Sequence, residues 1–377
     1  MKGIKMSCQA FIMAMALFLC SCTEKPEEVP VNPYPVQPPA GNITPAVKKY
    51  TNPVLSPGSF NGENINSMAD PFVFKDDDGT YYLYVTGKGF PTFSSKNLVK
   101  WSYCGKAMPS YSWGKSNFWA PEVFKFNGKY YIHYSSCEVA DGPKRIGLAV
   151  ADSPKGPFTD VAAAPFYKHS NKKGCIDSHF FFDEDGSIYM YYSVAASENP
   201  ADDTTGSLKK RSEIWVTSVK SDLSGTVEGT ATMLTKPEQA WEHDPTAGTY
   251  WNEGATVLKH DGTYYLMFSA NNYTRGVYSV GYATSGSPMG PFVKYGSNPV
   301  LAAANSGGLV SGPGHNCVVA SPDGKELYCV YHSHVNLVEK GSIRMINIDK
   351  MGFKGDGTLY VDGPSKSPKP MPSGSPE

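Results

Sequence analysis

Five short stretches of this chain each set an ionisable side chain at the head of an apolar run. They are 68–74, 119–126, 176–182, 251–258 and 312–319, and the side chains are Asp70, Glu122, Asp177, Glu253 and His315. A single carboxylate in such a place is ordinarily a solvated turn residue. Several of them at corresponding positions of a symmetric fold converge on one small volume, where carboxylates repel; at least one pKa then rises while another group stays ionised. The result is a protonated carboxylic acid close to a carboxylate. One can protonate a leaving oxygen while the other activates water or attacks directly, the division of labour that glycoside hydrolysis needs.

The elements that would carry these side chains announce themselves by repetition. Gly79-Thr-Tyr-Tyr-Leu-Tyr-Val-Thr86 returns as Gly128-Lys-Tyr-Tyr-Ile-His-Tyr-Ser135, Gly186-Ser-Ile-Tyr-Met-Tyr-Tyr-Ser193 and Gly262-Thr-Tyr-Tyr-Leu-Met-Phe-Ser269, and more loosely from Gly324 to Ser333. Each copy opens on a turn glycine and runs into aromatic and β-branched residues that suit a half-buried strand. The spacing of the copies is close to the period of four-stranded propeller blades with inserted loops. A second phrase, Ala149 to Phe158 and again Tyr282 to Phe292, follows its G-x-Y-Y strand at a consistent offset, with Ser94 to Trp101 in the same place in the first copy. The reading is all-β: one five-bladed β-propeller of four-stranded antiparallel blades. Innermost strands line the central channel of such a fold, and the five stretches headed by an ionisable residue, each just before its G-x-Y-Y strand, are those strands.

Composition bounds the partners. With 34 basic and 35 acidic residues there is no basic excess to attract nucleic acid, and the neutral balance suits an uncharged ligand such as a sugar. Lys2 and Lys5 precede an apolar run from Ala10 to Leu19, too short to span a bilayer, that ends in Leu19-Cys20-Ser21-Cys22. This resembles a bacterial lipoprotein signal, which implies residues 1–21 as signal peptide, lipid on Cys22, and a location in the cell envelope with the membrane touched only through the anchor. Residues 22–48 read as a proline-rich tether, 49–362 as the folded domain, and 363–377, which lack core-forming residues, as a disordered tail. The polar segment 197–211 reads as a loop. Cys104, Cys137, Cys175, Cys317 and Cys329 are odd in number and lack CxxC spacing, so neither a zinc site nor a disulfide framework is expected, and at least one thiol stays unpaired as a small buried hydrophobe.

At the acid-headed strands the chain resembles glycoside hydrolase family 43. The resemblance rests on Ala69-Asp70-Pro71, Trp119-Ala-Pro-Glu122, Ile176-Asp177, Asn252-Glu253-Gly-Ala-Thr256 and Gly312-Pro-Gly-His315, and spans all five blades. It implies an inverting enzyme acting on α-L-arabinofuranosides or β-D-xylosides, with galactan as a further substrate of the family. Asp70 would be the general base, Glu253 the general acid, and Asp177 the residue that orients the acid and tunes its pKa. Inversion needs room for a water, so the carboxyls of Asp70 and Glu253 are expected roughly 6.5–9.5 Å apart.

The resemblance also makes Trp119 the pocket tryptophan and Arg344 a blade-five arginine reaching the pocket. No cofactor is required, but His315 would lie below the sugar beside a structural calcium; calcium prefers oxygen, so that contact is expected through water. Glu122 is expected to be structural. Trp241 and Trp251 flank an insertion before Glu253 and are candidates for the rim. His332 and His334 sit at the end of the fifth repeat, and one of them, taken as His332, is expected to face the substrate. The chain is expected to act as a monomer on poly- or oligosaccharide, with its own loops setting specificity. The competing readings are a non-catalytic glycan-binding lipoprotein, a protein-interaction propeller, which predicts WD or kelch signatures that are not found, and a related propeller glycosidase; the fructan-cleaving type has Asn where Ala69 stands.

Overall fold

Five blades follow one another along the chain without exchange of strands. The fold is that of a computed structural model, which describes residues 47–376 apart from 141, 170–173, 195–210, 245, 247 and 338–340. The expected signal segment, Cys22, nearly all of the tether and almost the whole 197–211 loop lie outside the described residues. Blade 1 comprises Phe72–Lys75, Tyr81–Tyr84, Pro91–Ser95 and Ser102–Lys106. Blade 2 comprises Ser116–Phe126, Lys129–Cys137, Lys144–Ala151 and Thr159–Asp160. Blade 3 is built from Cys175–Phe182, Ile188–Val194, Glu213–Val219 and Thr232–Thr235. Asn252–His260, Thr263–Ala270, Ser279–Ser285 and Val293–Lys294 make blade 4, and Gly314–Ala320, Leu327–His334, Arg344–Phe353 and Leu359–Val361 make blade 5. Each is a four-stranded sheet in sequence order. The first strand of every blade packs on that of the next, and the fifth on the first, which closes the ring.

The paired aromatics of the repeated phrase have a structural reason. Successive strand residues point to opposite faces, and here both faces of the second strand are buried in seams between blades. Tyr81 and Leu83 enter the seam with blade 5, while Tyr82 and Tyr84 enter the seam with blade 2. Blade 5 repeats the device, with Tyr328 and Val330 on one side and Cys329 and Tyr331 on the other. Five such seams make up the core. A truncation such as Leu83→Ala, at a fully buried position, removes contacts worth about 2–5 kcal/mol. All five described cysteines are free, and four are buried, as small apolar fillers.

The ring is fastened where blade 5 meets blade 1. The chain entering blade 1 runs beside Arg344–Phe353: Asn52 Nδ2 donates to Ile348 O at 2.8 Å, the Ile348 amide donates back to Asn52 Oδ1 at 3.0 Å, and the Met68 amide donates to Arg344 O at 2.8 Å. The expected disordered tail is instead packed from 363 to 376. Lys369–Pro370 pairs antiparallel with Lys49–Tyr50, the Ser365 amide donates to Asp349 at 3.0 Å, and Ser373 Oγ donates to Asp323 at 2.6 Å. Composition misled here because the segment is ordered by hydrogen bonds to blade 5 and to the chain at 48–50, with Met371 packing on the apolar seam.

Candidate active site

The first strands do not run straight into the channel. Each carries, or in blade 1 is preceded two residues earlier by, a residue with left-handed backbone: Asp70 (φ 50°), Ala120 (φ 44°), Asp177 (φ 54°), Gly254 (φ 60°) and His315 (φ 50°). In blades 2 to 5 it coincides with a break in register, between Trp119 and Glu122, Ile176 and His179, Glu253 and Thr256, and Gly314 and Cys317. These are β-bulges, which insert a residue and re-aim side chains. A non-glycine residue held in such a conformation costs of order 1–3 kcal/mol. Fivefold recurrence marks it as part of the architecture.

Four of the bulges are held from the end of the neighbouring blade's repeated phrase, three by its last residue and one by the penultimate His332. The Ala120 amide donates to Thr86 Oγ1 at 2.8 Å, the Asp177 amide to Ser135 Oγ at 2.9 Å, the His315 amide to Ser269 Oγ at 2.7 Å, and the Asp70 amide to His332 Nδ1 at 3.2 Å. Each blade thus fixes the bulge of its neighbour. Blade 3 is the exception. Its Ser193 hydroxyl is buried without a partner among the described residues, and the Gly254 amide of blade 4 donates to the Asp177 carboxyl instead.

This geometry corrects the expected equivalence of the five ionisable residues. Asp70, Asp177 and His315 are bulge residues, but their counterparts in blades 2 and 4 are Ala120 and Gly254. Glu253 precedes its bulge, in the place of Trp119 and Ile176, and all three line the pocket. Glu122 follows its bulge by two residues and lies outside the pocket lining, its Oε2 hydrogen-bonded to His179 Nδ1 at 2.9 Å.

The pocket has a volume of about 310 Å³ and is lined by Asp70, Asp177, Glu253, Trp119, Trp251 and Arg344, with His315 also on its wall. Thr86, Lys144, Tyr273 and Tyr278 complete it together with Ile176; the sequence singled out none of these five for the pocket. Thr86 was visible as the end of a repeat, but Tyr278 belongs to no motif and had no signal. Trp241 is not on the pocket wall; it stacks on Phe268 in the seam between blades 3 and 4.

His332 is not on the wall either. It is fully buried beneath Asp70, its ring flat against Tyr278 (centroids 5.7 Å apart, planes 6° apart). Nor does one histidine of the pair turn away. Two residues apart on one strand, His332 and His334 point to the same side, and His334 is equally buried, bridging Ser311 Oγ and Tyr273 O.

The carboxyls occupy opposite electrostatic environments. Burial would raise the pKa of Asp70, but the Arg344 guanidinium at 2.9 Å, His315 and His332 nearby, and the Thr86 hydroxyl donating at 2.6 Å hold it well below the usual carboxylate range. Arg344 carries most of this, because burial and Arg344 itself keep His332 neutral, so that its Nδ1 accepts the Asp70 amide. Glu253 is pushed up to about 7, first by burial and then by the charge of Asp70, against the lowering pull of Tyr278, whose hydroxyl donates to Oε1 at 2.9 Å, and of Arg344. Asp177 is raised to about 8 by burial and by the neighbouring Glu253 and Asp70, while His315 and the Gly254 amide pull it down. Asp177 and Glu253 titrate as a coupled pair, which as a unit retains a proton near neutral pH. The site therefore holds an ionised carboxylate and a protonated carboxylic acid in one cavity.

The donor set does not fit a directly ligated calcium. That ion takes six to eight oxygens, His315 offers nitrogen, and among the described residues no three His, Cys, Asp or Glu side chains are gathered to hold a metal. No step of the chemistry is routed through an ion.

A model of a known family, the glycosyl hydrolases of family 43, matches residues 50–359. A thermostable family-43 glycoside hydrolase of known structure is 40% identical and superimposes with a TM-score of 0.76, covering 86% of this chain and 99% of that one. An endo-1,4-β-xylanase from Bacteroides thetaiotaomicron is 31% identical, with a TM-score of 0.66 over 87% of this chain and 99% of the other. The extracellular exo-α-(1→5)-L-arabinofuranosidase of Streptomyces avermitilis is 28% identical over 75% of this chain, which spans 58% of that relative. By motif, fold and length of match, the chain belongs to the glycosyl hydrolases of family 43, enzymes that hydrolyse O-glycosyl bonds.

Proposed function

We propose that this protein is an exported, inverting glycosidase that releases a terminal pentose, L-arabinofuranose or D-xylose, from plant polysaccharide. The observation that carries the reading is the opposed ionisation of Asp70 and Glu253 on the walls of one pocket. Asp70 takes a proton from a water whose oxygen bonds to the anomeric carbon. Glu253 gives its proton to the departing glycosidic oxygen as the C–O bond breaks, and Asp177, coupled to Glu253, keeps a proton on the pair until then. Trp119 and Trp251 offer apolar faces to the sugar ring.

A cavity of about 310 Å³ is at the small end of the roughly 300–1,000 Å³ usual for ligand pockets, which favours one terminal sugar over an extended chain. The names of the related enzymes support pentosides, and the word extracellular in one of them supports export. Lipid attachment at Cys22 and action as a monomer belong to the same proposal.

The test is hydrolysis of aryl α-L-arabinofuranoside, aryl β-D-xyloside and linear arabinan, with the anomer of the first-formed product read by proton NMR. Inversion, with a loss of about 10³-fold or more in Asp70→Asn and in Glu253→Gln on the unactivated substrate, is expected. Retention of configuration, or wild-type turnover in both variants, overturns the reading.

A further inference from the structure

The Glu253 side chain rests on a residue that no motif points to. Tyr278 is 1% exposed, at the head of the third strand of blade 4, and its hydroxyl donates to Glu253 Oε1. Two features fix its ring. One face lies flat on His332, and against it the chain carries Gly314, where a Cβ would stand 2.2 Å from the ring. Gly314 is not among the glycines with positive φ, so it is the approach of this ring that requires a glycine there. His332 in turn accepts the backbone amide of Asp70. The acid's carboxyl and the base's backbone therefore rest on the two members of one stacked pair.

Resting on the reading of Glu253 as general acid, we propose that Tyr278 is the positioning residue of the acid half of the reaction: by donating to Oε1 it leaves Oε2 as the oxygen that carries and delivers the proton, and through His332 it fixes the acid relative to the base. Burial, and then the charges of Glu253, Asp70 and Asp177, push the ionisation of the phenol well above its usual range, so it remains a donor wherever the enzyme works. Tyr278 transfers no proton itself. The proton that reaches the leaving oxygen comes from Glu253 Oε2, and the one released by water goes to Asp70.

The test is Tyr278→Phe, which keeps the stacked ring and deletes one oxygen, measured beside wild type and Glu253→Gln on glycosides with graded leaving groups. Dinitrophenolate departs without a proton; an alkoxide from an oligosaccharide does not. The variant is expected to lose about 10-fold or more in kcat/KM on the oligosaccharide and less than about 3-fold on the dinitrophenyl glycoside, since general acid catalysis contributes only where the leaving group needs it. The alkaline limb of kcat/KM should also move to higher pH, because the phenol lowers the pKa of Glu253; the other charged groups facing that carboxyl, Asp70, Asp177, Arg344 and His315, are unchanged. An equal loss on both substrates, or an unmoved alkaline limb, overturns the proposal. The Glu253→Gln arm separates the two readings: without a steep leaving-group dependence there, the acid assignment itself falls, whereas a steep dependence there beside a flat one in Tyr278→Phe removes only the role given to Tyr278.

Discussion

Arg344 Nη1 lies 2.9 Å from Asp70 Oδ1, across the seam where the fifth blade meets the first. The backbone of the same arginine accepts the Met68 amide, so the contact that ionises the base also belongs to the fastening of the ring. Base strength and ring closure are therefore one structural problem.

Arg344→Met should raise the pKa of Asp70, because burial remains and the largest opposing charge is gone. The sign is set by the depressed folded-state value. Asp70 contributes stability above the unfolded carboxylate range, and that contribution is lost as pH falls through its folded-state pKa. In the variant the acid limb of kcat/KM moves upward, and breaking a buried pair costs about 3–5 kcal/mol in denaturant unfolding at neutral pH. An acid limb that stays where it is in wild type would show that Arg344 does not hold the base ionised.

Glu253 behaves in the opposite sense. Its carboxyl keeps a proton up to about pH 7 in the fold, whereas the unfolded chain releases it near 4.3. Between those values the native state binds more protons than the unfolded one, so wild-type stability falls as pH rises through that window. Glu253→Gln retains an oxygen to accept from Tyr278 and has no proton to lose. Its melting temperature should match that of wild type near pH 4 and exceed it increasingly up to about pH 7, each kcal/mol reading as about 1–2 °C at the unfolding entropy of a domain this long. Parallel melting curves across that range would mean that Glu253 is not held protonated.

What the sequence disclosed follows from the physics of the strand. The Gly-x-Tyr-Tyr phrase was legible because a strand buried on both faces needs large apolar residues in succession, so blade number, strand order and the headings of Asp70, Asp177 and His315 could be read directly. The bulges were not legible. Asp70-Pro71, Ala120-Pro121, Asp177-Ser178, Gly254-Ala255 and His315-Asn316 share no side-chain pattern; they share a backbone conformation, which in four of the five the neighbouring blade holds through one hydrogen bond to the bulge amide. The displacement of Glu122 and Glu253 from the fivefold positions therefore had no sequence signal, and neither did Tyr278, which reaches the site from a third strand.

Gly254 is the bulge residue whose missing side chain matters most. A Cβ there would lie 3.2 Å from His315 Nδ1, and the backbone is left-handed. Gly254→Ala should cost about 1–2 kcal/mol from the backbone alone. It should also press on His315, which stands 3.5 Å from Asp70. A fall in kcat with little change in KM, accompanied by a lower melting temperature, is expected; unaltered kcat would mean that His315 and its neighbours give way without cost to the base.

The fastening of four bulges out of five makes one differential prediction. Ser135 and Ser269 each accept a buried amide of the next blade, from Asp177 and His315, while Ser193, at the same place in blade 3, has no partner among the described residues. Removing an acceptor strands a buried N–H and costs about 1–3 kcal/mol, whereas removing a hydroxyl that bonds to nothing costs little. Ser135→Ala and Ser269→Ala should therefore be destabilised by that amount in urea unfolding, and Ser193→Ala should fall within about 0.5 kcal/mol of wild type. The order matters for catalysis as well. The amide that Ser193 would otherwise engage is the one Gly254 turns to Asp177, where it favours the ionised form of a carboxyl that burial pushes the other way. If Ser193→Ala is instead the most destabilised of the three, Ser193 does hold the Gly254 amide, and the special electrostatics of blade 3 lose their structural basis.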